Sequence, residues 1–433
     1  MGGWAYRLFK AYFKLLNNHL LYRNIYILGK ENIPEGDGPL MVVSNHQNNA
    51  NDALGLILMF KNRQFPTIST SGVFLGKLPF LKSFFYGLGM LPAYRADYEG
   101  LENVNKNIDS QEEMKRRLLL GCPLIIYPEG TGQFGRYLGR FIPNYLHLAF
   151  QAAESEGWKR DIKVMPSANH YSDYFDVQTE FMIRVGEPLS LKPYYERYQQ
   201  KPRTTVREIN ELLRNRVLEM MLHVEDRAHY DAIDFLRTSA FGDRFAGGSL
   251  PLPERLEKDK QFVRLLQENA NDEFYEKVMR LRTLEQTHSL KDQWVAENVG
   301  WGRWCAGGLM LALLLPLWIL SLWPHALFYW LPTLLLGENL MYTNTYRVLL
   351  NSLVLAPVAA VVTFGVTAAL GVWWLGVAWV ALWPLQARFA WWMWQRLKRW
   401  RGQYFILGHK PEMSEVKDVR DKIASQLLFF NEN

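Results

Sequence analysis

Two long stretches without a formal charge constrain this chain more than any other feature. Residues 304–337 contain no Asp, Glu, Lys or Arg, with His325 as their one imidazole, and residues 348–387 carry no charge at all. A membrane-spanning helix needs roughly 20 predominantly apolar residues. Each stretch therefore has room for one long tilted helix or two short ones, giving two to four in all. Breaks are available at Trp323-Pro324-His325 in the first and at Pro357 or Gly371 in the second. Of 16 Trp, only Trp4 and Trp158 precede position 290.

The flanks suggest an orientation. Arg388, Arg396, Lys398, Arg399 and Arg401 follow the second stretch, interleaved with Trp391, Trp392, Trp394 and Trp400. Basic residues collect on the cytoplasmic side and Trp at the headgroup level. The linker 338–347 carries only Glu338 and Arg347, so it is expected to be the segment moved across the bilayer. A cytoplasmic tail at 388–433 and a cytoplasmic catalytic domain follow. At the N-terminus Arg7, Lys10 and Lys14 interrupt every apolar run, unlike a secretory signal. Trp4, Leu8, Tyr12, Leu15 and Leu16 instead recur at helical spacing, with Phe9 and Phe13 widening the apolar face. Residues 1–24 thus read as a basic amphipathic helix, lying on an anionic membrane or packed on its own domain.

The net charge of +6, from 49 Lys+Arg against 43 Asp+Glu, is spread along the chain. A nucleic-acid partner, which calls for a concentrated basic patch, is not expected. With only Cys122 and Cys305 there is neither a disulfide framework nor a cysteine-rich zinc site.

Between the first helix and residue 193, short β-branched or apolar runs at 25–28, 40–44, 67–70, 124–127, 163–167 and 181–185 read as strands. Residues 52–60 and 110–120 read as helices, the second opening on a capping box, Ser110 to Glu113. Such alternation predicts an α/β domain at 25–193 with a mostly parallel sheet flanked by helices. From 194 to 303 the strands stop. Thr205 to Glu208 caps a helix, a Gly/Pro loop spans 241–253, and charged helices follow over 255–285.

Four segments of the α/β part carry chemistry. A strand runs into Asn45-His46-Gln47-Asn48, and Asp52 lies six positions after the histidine, where a helix begins. An imidazole accepts a proton near neutral pH when a carboxylate holds its other nitrogen in the right tautomer. Gly87 to Arg95 reads as a Gly-rich turn delivering a guanidinium, suited to a phosphate. Pro128-Glu129-Gly130-Thr131-Gly132 ends a strand with glycines that let the backbone close on an anion. Val164-Met165-Pro166-Ser167 is a strand with a late proline. Read alone, each also has a plain structural explanation: a capping Asp, an ordinary turn, a strand end. Ser167, His170 and Asp173 can be drawn as a hydrolase triad, but they crowd one short segment without a nucleophile elbow.

In this order the four segments resemble the glycerophospholipid acyltransferase superfamily, over roughly residues 25–188. The resemblance implies His46 and Asp52 as the catalytic pair. It implies Asn45, Asn48, Arg95, Glu129, Gly130, Thr131 and Arg136 as substrate-binding residues, with no metal and no cofactor beyond acyl-CoA or acyl-carrier protein as co-substrate. The implied partners are a lipid bilayer and a phosphorylated glycerol or lysophospholipid acceptor. The implied reaction is O-acylation of 1-acylglycerol-3-phosphate in phospholipid biosynthesis, with glycerol-3-phosphate or a lyso-aminolipid as alternative acceptors and a non-catalytic membrane scaffold as the alternative class. Two departures stand out. The commoner spacing would put Asn51 opposite the histidine, whereas the carboxylate is one residue later at Asp52. Gly132 stands where an Arg or another polar residue is usual, and Arg136 or Arg140 is the expected substitute.

Overall fold

The computed structural model describes residues 3–16, 21–60, 66–71, 86–87, 89–93, 107–130, 132, 135–248, 250–297, 299–336 and 340–432. The chain divides into two compact units: residues 1–18, 24–221 and 336–349 form the first, and residues 19–23, 222–335 and 350–433 the second.

The first unit contains α1 (Gly3–Leu16), β1 (Tyr22–Leu28), β2 (Leu40–Ser44), α2 (Ala50–Met59), β3 (Thr67–Ser71) and β4 (Met90–Ala93). After these come α3 (Asn107–Leu119), β5 (Leu124–Ile126), α4 (Asn144–Ser155), β6 (Lys163–Tyr171), β7 (Thr179–Val185), β8 (Leu189–Ser190), α5 (Tyr195–Gln200) and α6 (Pro202–Met220). The strands form one sheet in the order β1-β7-β6-β2-β5-β3-β4, with β8 paired to β6. β2 lies between β5 and β6, parallel to both, and β3 is parallel to β5 and β4. Only β7 and β8 run antiparallel to β6. Every residue of β2 is buried, as a parallel strand covered on both faces requires. Alternation sends Met41 and Val43 into a cluster with Leu118, Leu146 and Phe150. Gly55 of α2 meets the ring of Phe181, so close that a Cβ there would lie 2.4 Å from it.

The expected α/β sheet is present, with differences that have local causes. Met90 to Ala93, read as part of a turn, is strand β4, paired with β3 in register from Ile68↔Met90. Gly89 just before it has φ +86°, and a Cβ there would strike the Pro66 carbonyl oxygen at 2.3 Å. Helix α3 begins at Asn107, so Ser110 lies buried inside it, and Glu113 pairs with Arg116 and Arg117 instead of closing a capping box. Helix α6 starts at Pro202, whose missing N–H is harmless in a first turn, and Thr205 bonds back to the Lys201 carbonyl. This helix buries Ile209 and Leu213 in the same core, so the first unit continues to Met221, beyond the expected boundary at 193. In α1, Phe13 and Leu16 are buried while Leu8 and Leu15 are exposed. One side of the amphipathic helix is thus covered by its own unit.

The second unit is helical: α7 (Tyr230–Thr238), α8 (Ala240–Phe245), α9 (Leu252–Asn269), α10 (Asp272–Thr287), α11 (Asp292–Ala296) and α12 (Trp301–Leu336). Beyond α13 (Leu340–Leu350), which lies almost wholly in the first unit, the second resumes with α14 (Ala356–Ala369), α15 (Trp373–Ala381), α16 (Trp383–Gly408) and α17 (Lys410–Glu432). Helix α8 occupies part of the expected Gly/Pro loop. Two helical segments, Trp301–Leu335 and Thr345–Ala369, are long and apolar enough to cross a membrane. The first bends at Trp323, which leaves helical φ/ψ before Pro324, and the second stretch breaks at Gly371, φ +76°.

Residues 388–433, expected as a basic cytoplasmic tail, are helical: α17 buries Val416, Ile423 and Leu427, and Arg420 bonds Asp292 at 2.7 Å. The linker 338–347 was expected across the bilayer from the acyltransferase domain. Its described part belongs to the first unit, where the buried Arg347 donates to the Phe175 carbonyl.

Burial and the neighbouring Asp292 charge push the Glu285 carboxyl up to about 8, against the attraction of Arg420. A raised carboxylate makes folding favour the protonated form, so stability falls as pH rises from the ordinary Glu range through about 8. Glu285→Gln is expected to flatten the decline of Tm between pH 5 and pH 8.5 and to raise Tm at the alkaline end, as thermal melts across that range would measure.

Candidate active site

The site is built where β2 ends. After Ser44 the chain turns through Asn45-His46-Gln47-Asn48-Asn49 and enters α2, with Asp52 in its first turn. Asn49 takes φ +47°, a left-handed value that asparagine tolerates better than most residues. That bend folds the helix start back over the loop. Asp52 Oδ2 then lies 2.9 Å from His46 Nδ1 and accepts the N–H groups of Gln47 and Asn48, both at 2.8 Å. Its Oδ1 accepts the Tyr171 hydroxyl at 2.7 Å. Four donors converge on one fully buried carboxylate, which fixes its orientation. The neighbouring Asn51, the alternative partner by spacing, is buried and has no hydrogen-bond partner on either amide atom. The carboxylate at position 52 is therefore the residue that engages the histidine.

With Nδ1–H directed at Asp52, His46 presents Nε2 as its basic nitrogen, and its side chain keeps 21 % exposure. Tyr127 stacks on the imidazole, with ring centroids 4.2 Å apart and planes at 19°. Burial, and then the Asp52 charge, push the Tyr127 phenol well above its ordinary range, so it stays neutral beside the base.

Glu129 comes from the loop after β5, which is parallel to β2 and delivers it beside the histidine turn. Its Oε1 accepts His46 N at 2.9 Å and its Oε2 accepts Gly139 N at 2.7 Å. Burial pushes its carboxyl up, opposed by these two N–H donors, which favour the charged form. Glu129 therefore splints the histidine main chain to the following loop.

Two further expected substrate residues are occupied similarly. Asn45 is fully buried; its amide donates to Asn169 O at 2.9 Å and accepts Asn169 N at 2.7 Å. It continues the β2–β6 pairing one residue past Ser44 with a side chain in place of main chain. Arg136 is buried, donates to Tyr171 O at 2.8 Å and Ser172 O at 3.2 Å, and lies over the Tyr174 ring. It thus holds the strand end that carries Tyr171, rather than standing open to an anion.

Asn48 fits the expectation differently: it is buried, and its Nδ2 has no hydrogen-bond partner. Gly130 is exposed, with φ +74°. Arg95 and Thr131 lie outside the described residues, as does the apolar segment 74–85. Ser167 and His170, three apart on β6, face opposite sides of the sheet. Ser167 Oγ donates to Arg184 O, and Asp173 caps the N–H groups of Phe175 and Asp176, so the hydrolase triad does not assemble. Among the described residues no cluster of His, Cys, Asp and Glu is arranged to hold a metal.

Sequence reasoning missed Tyr127, Tyr171 and Gly139. Tyr127 was legible as the last residue before Pro128-Glu129. Tyr171 needed the strand to run four residues beyond the predicted end at 167, and Gly139 entered through its backbone alone.

A histidine–carboxylate pair thus stands at the end of a parallel strand, with a mostly parallel sheet beneath it. Residues 24–169 match the acyltransferase family. Over 148 residues the chain is 26% identical to a Mycoplasma pneumoniae protein described as "Probable 1-acyl-sn-glycerol-3-phosphate acyltransferase". That match covers 33% of this chain and 52% of the relative, so the chain spans about half the length of the curated protein it matches. The solved 1-acyl-sn-glycerophosphate acyltransferase of Thermotoga maritima aligns over 48% of this chain and 78% of its own, at 19% identity and a TM-score of 0.34.

Removing the Glu129 carboxylate strands two partly buried N–H donors, each costing up to ~1–3 kcal/mol. Glu129→Ala is expected to lose about 2 kcal/mol or more in denaturant melts. Glu129→Gln, which keeps an acceptor for His46 N, should lose less. An alanine variant as stable as the parent would remove the splint from this account.

Proposed function

We propose that this chain is a membrane-bound O-acyltransferase that moves a fatty acyl group from acyl-CoA or acyl-carrier protein to 1-acylglycerol-3-phosphate. The observation that carries the reading is the 2.9 Å contact of His46 Nδ1 with Asp52, which leaves Nε2 as a base. The acceptor hydroxyl gives its proton to Nε2 while its oxygen attacks the thioester carbonyl. The tetrahedral intermediate collapses with cleavage of the C–S bond, and the departing thiolate takes the proton back from His46. Asp52 stabilises the transient imidazolium, and no acyl-enzyme is needed. Such a base supplies ~10²–10⁴-fold in rate.

The choice of acceptor is supported by the Mycoplasma pneumoniae relative and by Arg95, a cation of the expected phosphate site. Membrane attachment is supported by the two long apolar helical segments. A cytoplasmic side for α16 is supported by its cations, since basic residues favour that side.

Membranes containing the protein should transfer label from acyl-CoA to lysophosphatidic acid. His46→Ala is expected to lower that transfer by ~10²–10⁴ with the fold intact by circular dichroism. Asp52→Asn should lower it comparably, because an amide offers the imidazole no charge and fits the wrong tautomer. Arg95→Ala should raise KM for the acceptor much more than it lowers kcat. Transfer to glycerol-3-phosphate alone would change the acceptor. An unaffected Arg95→Ala variant would point to an acceptor without phosphate, and transfer that survives His46→Ala would overturn the mechanism.

A further inference from the structure

The second uncharged stretch folds as a helical hairpin, α14 and α15, closed by a turn around Gly371. At Gly376 the helices touch: a Cβ there would lie 2.4 Å from Thr367 Oγ1 and 3.1 Å from the Phe364 ring. We propose that this hairpin is re-entrant: it dips into the bilayer from one side and returns to that side, its tip resting among lipid acyl chains. The proposal rests on the membrane-bound reading above and replaces the crossing expected for this stretch.

Three independent features lead there. The first is the chemistry of the tip. Leu370, Trp373, Trp374 and Val377 are largely exposed, and the turn 368–376 offers water no charged or hydroxyl side chain. A hairpin that crossed would place this turn in the aqueous phase on the far side.

The second is the backbone of the turn. Nonhelical main chain is excluded from hydrocarbon unless its polar groups are satisfied within the protein. Here the N–H groups of Leu370, Gly371, Val372 and Leu375 donate to Val366 O, Ala368 O, Thr367 O and Val372 O, at 2.8–3.1 Å. The left-handed Gly371 makes this closure possible. The hydroxyls of Thr363 and Thr367 likewise bond back to Ala359 O and Thr363 O. Four N–H groups of the turn thus find acceptors within the hairpin.

The third is length. After Gly371 the next charge is Arg388, leaving the uncharged residues 372–387 for the return leg. At 1.5 Å per residue those 16 residues reach about 24 Å, short of the ~30 Å hydrocarbon core. Arg388 is also held: its Nη2 donates to the Arg23 carbonyl at 3.0 Å, so it does not reach for a headgroup on a slack stem. Farther along α16, Arg396 lies over the Trp392 ring, and Lys398 over those of Trp391 and Trp394. Cations among Trp rings are what an anionic headgroup layer at the base of such a hairpin would meet.

The test uses the full chain in its membrane, with Cys122 and Cys305 replaced by Ser and a single cysteine placed by Leu370→Cys, or by Lys410→Cys as the water-exposed reference. A membrane-impermeant maleimide is applied to intact cells and to inverted vesicles. A nitroxide on the same cysteine then reports collisions with oxygen, which enters lipid, and with a water-soluble nickel complex. The tip is expected to label at least tenfold less than the reference from both faces, with oxygen collisions exceeding nickel collisions and the reverse at position 410. Labelling of the tip from the face opposite the reference would mean that the hairpin crosses. Labelling from the same face would mean that it never enters. A tip protected from maleimide but insensitive to oxygen would be covered by protein instead of lipid. Each of these three results overturns the proposal. Sedimentation and acyl transfer measured in parallel separate the two readings. A water-accessible tip on an active, membrane-bound enzyme overturns only the hairpin, whereas protein recovered in the soluble fraction overturns membrane attachment itself.

Discussion

The carboxylate of Asp52 is the point on which the candidate active site depends. It is fully buried, yet it collects four donors from three places: the imidazole of His46, the main chain of Gln47 and Asn48, and the hydroxyl of Tyr171. A charge removed from water this completely is tolerable only when hydrogen bonds replace its hydration. Those same bonds tie the end of β2, the start of α2 and the end of β6 to a common point. Folding the sheet and orienting the base are therefore one event.

Around that point the protein uses polar side chains as substitutes for backbone. Asn45 pairs with Asn169 as a strand residue would, Glu129 links the main chain of His46 to that of Gly139, and Arg136 gathers the carbonyls of Tyr171 and Ser172. Each is buried, so replacing one removes a support from the histidine turn. The motif residues thus divide into two groups: His46 keeps an accessible ring, while Asn45, Glu129 and Arg136 are buried in its supporting bonds.

Much of this was legible beforehand. Strand β2 was read with its observed ends because an apolar run bounded by a proline and a polar loop leaves little choice. The His46–Asp52 pair followed from residue type and position. Strand β4 was not legible, because Gly87 and Gly89 advertise a turn and the short pairing depends on β3, far away in sequence. The bracing contacts of Glu129 were hidden for a similar reason: its sequence position says that it is near the site, while the two N–H groups it faces come from the fold. The uncharged stretches announced helices and even their breaks at Trp323 and Gly371. Where the linker between them lies could not be read from its few charges, since Arg347 is held by a carbonyl contributed from a distant loop.

Asn49 has a consequence for how such chains are recognised. Its positive φ turns the chain into α2, and the carboxylate arrives 2.9 Å from the imidazole. The interval between His46 and Asp52 then depends on a position that accepts this bend. Asparagine and glycine would preserve the pair at that position, whereas a β-branched residue would disturb it at unchanged spacing. A pattern that counts residues between His and Asp would overlook this variation; one that asks which residue types occupy the turn would find it.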